Sequence, residues 1–295
     1  MGWNLNCTKI ERSAAEGLYG RLGVGVISKK TKKNDTLGCA FNLSAGARAL
    51  KTEVMAHEIK YQSGLGNYFS SEALPGALPQ GQNSPKEAPL GLYAELLSVS
   101  AFTMKRSDNL RTWMYRKLPS AVQGQMEPYI QKLWTSVIAD DGRTPPNALR
   151  WLPSGEPTQD CDFVDGVFTM AANDHNRGTA VHHYLFNQPM TNRFFQNSDG
   201  ELLIVPQDGE LVLKTELGIL IVKPLEIAVI PRGIKFQVQT TGRGWCRGYM
   251  AENLGAPLRL PELGPIGSSG LANQRDFEFP VAAFDDSRGD FELIC

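Results

Sequence analysis

Histidine is scarce in this chain: four in 295 residues, at His57, His175, His182 and His183. The five cysteines (Cys7, Cys39, Cys161, Cys246, Cys295) are scattered, odd in number and form no Cys-x-x-Cys pair. That argues against a disulfide framework or a zinc site and fits a reducing compartment. An excess of one charge is also missing. Thirty Lys and Arg face 31 Asp and Glu, a net charge of −1, so no overall field gathers nucleic acid or an anionic membrane. No apolar run approaches the roughly 20 residues of a membrane helix. The N-terminus, MGWNLNCTKIERSAAEG, lacks the basic-then-apolar layout of a secretory signal. Together these absences describe a soluble, cytoplasmic protein with neither nucleic acid nor membrane as partner.

What is present is an ordinary globular balance, 42% hydrophobic and 21% charged, in a chain long enough for one large or two modest domains. Residues 1–54 stand apart, with nine Lys or Arg against four acidic residues and a cluster at Lys29, Lys30, Lys32 and Lys33. No sustained periodicity accompanies them. They are expected to be a disordered basic extension, with Met55 as a natural initiator. An organelle leader is the competing reading, although such leaders are amphipathic and Arg-rich. Residues 55–284 are expected to form a β-sandwich domain and 285–295 to begin another.

Residues 61–100 are dense in Gly, Pro, Ser and Asn, which predicts an ordered run of turns of the kind that serves function or an interface. Arg111–Leu118 predicts a strand. In 126–138, Met126, Ile130, Leu133, Trp134, Val137 and Ile138 share one helical face before Gly142, which predicts the chain's best helix. After Cys161 come short β-branched and aromatic runs: DFVDGVFTM, TAVHHYLF, NRFFQ, ELLIVP, GELVLKT, GILIVK, LEIAVIP, IKFQVQ and WCRGYMAE. Asp165-Gly166, Asp199-Gly200 and Asp208-Gly209 are expected as hairpin turns between them. The alternation in Ile234–Gln239 marks a half-buried strand. The fold class expected is mainly β, an antiparallel β-sandwich or jelly roll with one short helix. Asp290–Cys295 begins a further alternating strand with no partner following it, from which the chain is read as incomplete relative to its fold.

A jelly-roll enzyme of the cupin type holds its metal with a His-x-His pair, a carboxylate and a late histidine, which suits non-haem iron. The stretch ELLIVPQDGELVLK followed by PRGIKF resembles the cupin body, with Pro231 and Gly233 in the expected turn. Phe236 stands where the late histidine would be, and Asn192–Gln196, with Phe194 and Phe195, where the early pair would be. The barrel therefore looks emptied of ligands. His182 and His183 are adjacent in a strand, so they point to opposite faces and cannot share an ion. One of them at most faces the core, as a hydrogen-bonded structural residue. His175 is expected in solvent.

Other apparent motifs carry no chemistry. Gly64-Leu65-Gly66 has neither a preceding strand nor a third glycine and is no dinucleotide fingerprint. Arg288-Gly289-Asp290 is a chance tripeptide, Asp285-Asp286 reads as a solvated loop, and no serine or cysteine stands in a nucleophile elbow.

Several passages between Tyr61 and Ile294 resemble the homogentisate 1,2-dioxygenase family. They are Tyr61-Gln62-Ser63-Gly64 with Gly66-Asn67, Gly81-Gln82-Asn83-Ser84-Pro85, and Leu92-Tyr93-Ala94-Glu95 with Ala101-Phe102-Thr103. Further on stand Asn197-Ser198-Asp199-Gly200 with Ile204-Val205-Pro206-Gln207, then Leu260–Gly267 with Gly270-Leu271-Ala272-Asn273.

The resemblance implies Fe(II), dioxygen and extradiol-type ring opening of homogentisate to maleylacetoacetate in tyrosine and phenylalanine catabolism. It also implies an N-terminal β-sandwich leading into an iron-binding cupin domain, and trimers paired into hexamers. The family's iron ligands and catalytic histidine belong to sequence that would follow residue 295. No catalytic, cofactor-binding or metal-binding residue is therefore assigned, and the chain is expected to bind no iron and to be inactive alone. A non-enzymatic, metal-free cupin-like domain for binding or subunit assembly is the alternative. A third reading, another cupin oxygenase or isomerase using His182 or His183 with carboxylates, is opposed by the strand geometry.

Overall fold

The computed structural model describes residues 70–105, 108–135, 154–173, 178–242, 244–259, 274–285 and 290–295, with short pieces at 8–9, 25–27, 59, 61–63, 147–148, 150 and 152. Its early elements are β1 (Thr8–Lys9), β2 (Gly25–Ile27), β3 (Tyr61–Ser63), β4 (Ser70–Ser71), β5 (Tyr93–Ser98) and β6 (Arg111–Arg116). A four-residue helix, α1 (Phe163–Gly166), leads into β7 (Val167–Ala172) and β8 (Thr179–Phe186). Then follow β9 (Arg193–Gln196), β10 (Glu201–Asp208), β11 (Leu211–Thr215), β12 (Gly218–Val222) and β13 (Ile227–Ile230). The last strands are β14 (Lys235–Thr240), β15 (Cys246–Asn253), β16 (Phe277–Pro280) and β17 (Glu292–Ile294). From residues 1–54 only β1 and β2 are described, so the expected disordered extension otherwise lies outside the described residues.

Two sheets face each other. One runs β3-β16-β2-β13-β10-β15-β8-β7, the other β12-β11-β14-β9-β17. From β9 to β15 the chain changes sheet at nearly every step, the winding of a jelly roll, so the mainly antiparallel sandwich expected from the strand spacing is what forms. Period-2 burial explains why. In β8, Ala180, His182, Tyr184 and Phe186 turn inward while their neighbours do not. Leu202 and Ile204 of β10, Leu211 and Leu213 of β11, and Phe236 and Val238 of β14 complete the core between the sheets. Gln237 departs from the alternation. It is buried with them because its Nε2 donates to the carbonyls of Thr191 at 3.0 Å and Arg193 at 3.2 Å, which offsets the cost of enclosing an amide.

The smaller sheet, β4-β1-β6-β5, carries its own packed pair, Ala77 and Tyr115. It joins the sandwich through Leu97, Val99 and Leu110, which pack on the larger core, and through an ionic link. Arg116 of β6 meets Glu216 at 2.7 Å and Glu95 at 3.0 Å. Glu216 also accepts from the backbone N–H of Lys235 at 2.9 Å.

Four expectations fail. Residues 126–135 form no helix but an irregular strap, and Met126, Ile130 and Leu133 face solvent; Val137, Ile138 and Gly142 lie outside the described residues. The strap's backbone groups bond the sandwich instead of each other. Thr169 N–H donates to the Leu133 carbonyl at 2.9 Å and Thr135 N–H to Thr169 Oγ1 at 2.9 Å. Pro128 also removes a donor that a helix would need.

Asp165-Gly166 is not a hairpin turn and DFVDGVFTM not one strand. Asp162 caps α1 by accepting from Val164 and Asp165 N–H at 3.1 and 3.4 Å. Asp199-Gly200 and Asp208-Gly209 are turns, yet they carry the chain between sheets, because β9, β10 and β11 do not pair with one another. Gly209 takes φ 82°, and a Cβ there would lie 2.4 Å from the Cys246 sulfur, so the crossing needs glycine. A tight hairpin does form at Thr215–Gly218, which joins β11 to β12.

The final strand, β17, is not unpartnered: it pairs in parallel with β9, Ile294 opposite Phe195, and Ile294 is buried. The last strand therefore does not lie open.

Candidate functional site

Rings fill the positions at which the sequence pattern looked for cupin ligands. Phe195 and Phe236 are cross-strand partners on β9 and β14, with ring centroids 5.7 Å apart and planes at 85°. Trp134 of the strap lies on Phe195 at 4.5 Å, and Phe163 of α1 stands edge-on to both Trp134 (6.1 Å) and Phe236 (6.2 Å). Offset and edge-to-face arrangements of this kind suit the ring quadrupoles. Carbon rings offer no lone pair to a metal, so an iron does not fit here. Among the described residues no three His, Cys, Asp or Glu side chains are grouped to hold an ion.

His182 borders the rings, 5.9 Å from Trp134. It is fully buried, and both nitrogens are engaged: Nδ1 with Thr169 Oγ1 at 2.9 Å, Nε2 with Glu252 Oε2 at 3.0 Å. Glu252 also accepts from Asn197 Nδ2 at 2.5 Å, and Asn197 in turn accepts from the N–H groups of Asp199 and Gly200 at 2.9 Å each. Burial pushes the Glu252 carboxyl up, but the hydrogen bonds from His182 and Asn197 and the imidazole's charge leave it below the usual range.

His183 points the other way, as adjacent strand residues must. It lies 3.4 Å from Ser154 Oγ and 5.1 Å from the Phe168 ring. Burial, then the Arg247 charge, holds it below its ordinary value. The opposed orientation read from the sequence is what the strand imposes; His57 and His175 lie outside the described residues.

Sequence reasoning missed a second feature, a cleft of about 310 Å³. The loop Val99–Ala101 and Met104 form one wall; Asp199–Glu201, Arg232 and Asn253 form the other. Arg232 ties the walls together by donating to the Val99 carbonyl at 2.8 Å. Burial raises the Glu201 carboxyl, opposed by the Leu258 N–H it accepts at 2.6 Å and by the Arg232 charge. The signal was in the text. Two of the passages that carry the resemblance, around Ala101 and Asp199-Gly200, meet at this cleft although a hundred residues separate them.

A family model described as homogentisate 1,2-dioxygenase N-terminal matches residues 60–295. The chain belongs to that family. It is 57% identical over 240 residues to a homogentisate 1,2-dioxygenase of Pseudomonas fluorescens, a match covering 80% of this chain and 54% of that protein. The chain thus spans about half the length of the relative it matches. Among solved structures, a cupin superfamily protein of Desulfitobacterium hafniense is 14% identical over 35% of this chain and 84% of its own, with TM-score 0.27. A cupin 2 conserved barrel domain protein of Leptotrichia buccalis is 18% identical over 30% and 39%, with TM-score 0.26. Likeness at those scores carries no argument; the homogentisate dioxygenase assignment rests on sequence. Among the described residues no helix is long and apolar enough to cross a membrane.

Proposed function

We propose that this chain is the β-sandwich half of a homogentisate 1,2-dioxygenase, a cytoplasmic enzyme of tyrosine and phenylalanine catabolism. The reaction would open homogentisate to maleylacetoacetate, both atoms of one dioxygen entering the product. The match across residues 60–295 supports this reading. Fe(II) would be the metal, held by ligands in the part of the family's length that this chain does not span. This half would supply scaffold, residues 55–284 forming the sandwich and 285–295 the passage toward the next domain. Trimers paired into hexamers would be the working assembly.

The test joins this chain in frame to the remaining half of the Pseudomonas fluorescens relative and follows oxygen uptake with homogentisate and ferrous ion. The fusion is expected to consume one dioxygen per homogentisate, and this chain alone none. Iron-dependent turnover by this chain alone would overturn the division of labour; a folded, iron-loaded but inactive fusion would overturn the dioxygenase reading.

A second reading, a metal-free cupin-like domain retained for binding or subunit assembly, is favoured by one observation: Trp134, Phe195 and Phe236 fill the barrel. A folded chain that forms a stable oligomer without iron, together with an inactive fusion, would establish it.

A further inference from the structure

Arg232, in the turn after β13, lines the cleft with a charge that no carboxylate answers. Its Nη2 and Nε donate to the Val99 carbonyl at 2.8 and 3.3 Å, and among the described residues no acid reaches ion-pair distance of it. Arg116, Arg193 and Arg247, by contrast, each meet a carboxylate directly. A guanidinium can donate from more than one edge. The edge carrying Nε is spent on Val99; the Nη1–Nη2 end keeps its paired donors, the fork that a carboxylate matches.

The same cleft, about 310 Å³, carries charge of the opposite sign. Glu201, at the start of β10, is buried in its wall, with exposed Asp199 beside it. Glu201 Oε2 accepts from the Leu258 N–H at 2.6 Å, whereas Oε1 has no donor among the described residues. Arg232 and Glu201 thus line one cleft without pairing. Each is tied to the backbone of a different segment, so neither swings to the other without giving up that bond.

We infer that this cleft binds a free α-amino acid as its zwitterion. The carboxylate takes the open fork of Arg232, the ammonium lies against Glu201 and Asp199, and the side chain runs along Ala101, Met104 and Pro257. A ligand of one sign leaves part of the cleft unanswered: an acid alone faces Glu201 and Asp199, an amine alone faces Arg232. In a free amino acid both charges hang from the same carbon, which neither the interior nor one terminus of a peptide offers. Apolar atoms of Ala101, Met104 and Pro257 favour an aliphatic side chain over a charged one. The volume sits at the low end of the range for ligand pockets, about 300–1,000 Å³, and suits a molecule of that size. Binding there needs neither iron nor the other half of the family's length.

The test titrates isotope-labelled chain with L-leucine, isocaproate and isopentylamine, followed by proton–nitrogen NMR. The three share an aliphatic frame and carry both charges, the negative one alone or the positive one alone. Leucine is expected to shift the amides of Ala101, Gly200 and Gly255 with a Kd on the order of 1 mM. Each single-charge analogue is expected to bind about tenfold more weakly, the loss of one charge-assisted contact. Arg232→Gln should erase the advantage of leucine over the amine. Because Arg232 also joins the cleft walls, Met104→Trp, which fills the cleft and leaves its charges in place, serves as second variant and should abolish leucine binding. Equal binding of leucine and either analogue would overturn the zwitterion. A folded chain whose cleft amides ignore leucine well above that concentration would overturn the site, as would undiminished binding in Met104→Trp.

Discussion

Phe236 stands directly opposite Phe195 across the β9–β14 ladder, ring edge to ring face. The space between the sheets at that point is enclosed by hydrocarbon, and the pair is part of the continuous core that joins β8, β10, β11 and β14. A barrel built this way gains its cohesion at that point from ring packing.

Phe236 is fully buried, so Phe236→Ala should leave a cavity beside Trp134, Phe163 and Phe195. The expected loss is about 3–5 kcal/mol of stability, read from the shift in urea midpoint at unchanged slope. Phe236→Leu should cost clearly less.

Arg116 and Glu216 are 2.7 Å apart and nearly enclosed. Removing Glu216 leaves Arg116 with Glu95 at 3.0 Å, whereas removing Arg116 leaves Glu216 with only the Lys235 ammonium at 3.7 Å. Arg116→Met is expected to cost about 3–5 kcal/mol, while Arg116→Met combined with Glu216→Leu should recover only part of it, because Glu95 then loses Arg116 and Lys235 loses Glu216. A double-mutant cycle by chemical denaturation measures the coupling.

Glu252 makes stability depend on acid. Its folded value lies below the ordinary 4.5, so the stability it contributes is complete above the unfolded value and is lost as pH falls through the folded one. Stability should decline from about pH 4.5 downward more steeply in the natural chain than in Glu252→Gln, which starts lower but titrates less. Urea midpoints taken across that range give the comparison.

Burial pushes the Cys246 thiol up to about 11, and the side chain is closed off beneath Gly209. Among the cysteines of the described residues, alkylation at mildly basic pH should therefore label exposed Cys295 first, half-buried Cys161 more slowly, and Cys246 only on unfolding. Peptide mapping by mass spectrometry resolves the three.

The sequence by itself determined the family, through runs such as Gly81–Pro85 and Asn197–Gly200, and the strand-rich sandwich, through period-2 patterns as clear as Thr179–Phe186. It also determined that His182 and His183 part company, since adjacent strand residues cannot do otherwise. Tertiary structure decided the rest. Residues 126–135 carry a helical spacing of apolar residues, but their backbone found better partners on β7, so only Trp134 went inside. Asp199-Gly200 and Asp208-Gly209 have hairpin chemistry, yet the strands beside them pair elsewhere, and β17 closes on β9, about a hundred residues away. Local pattern fixes which way a side chain faces along its own strand; which strand lies alongside depends on burying all the inward faces at once, and that condition holds only for the folded whole.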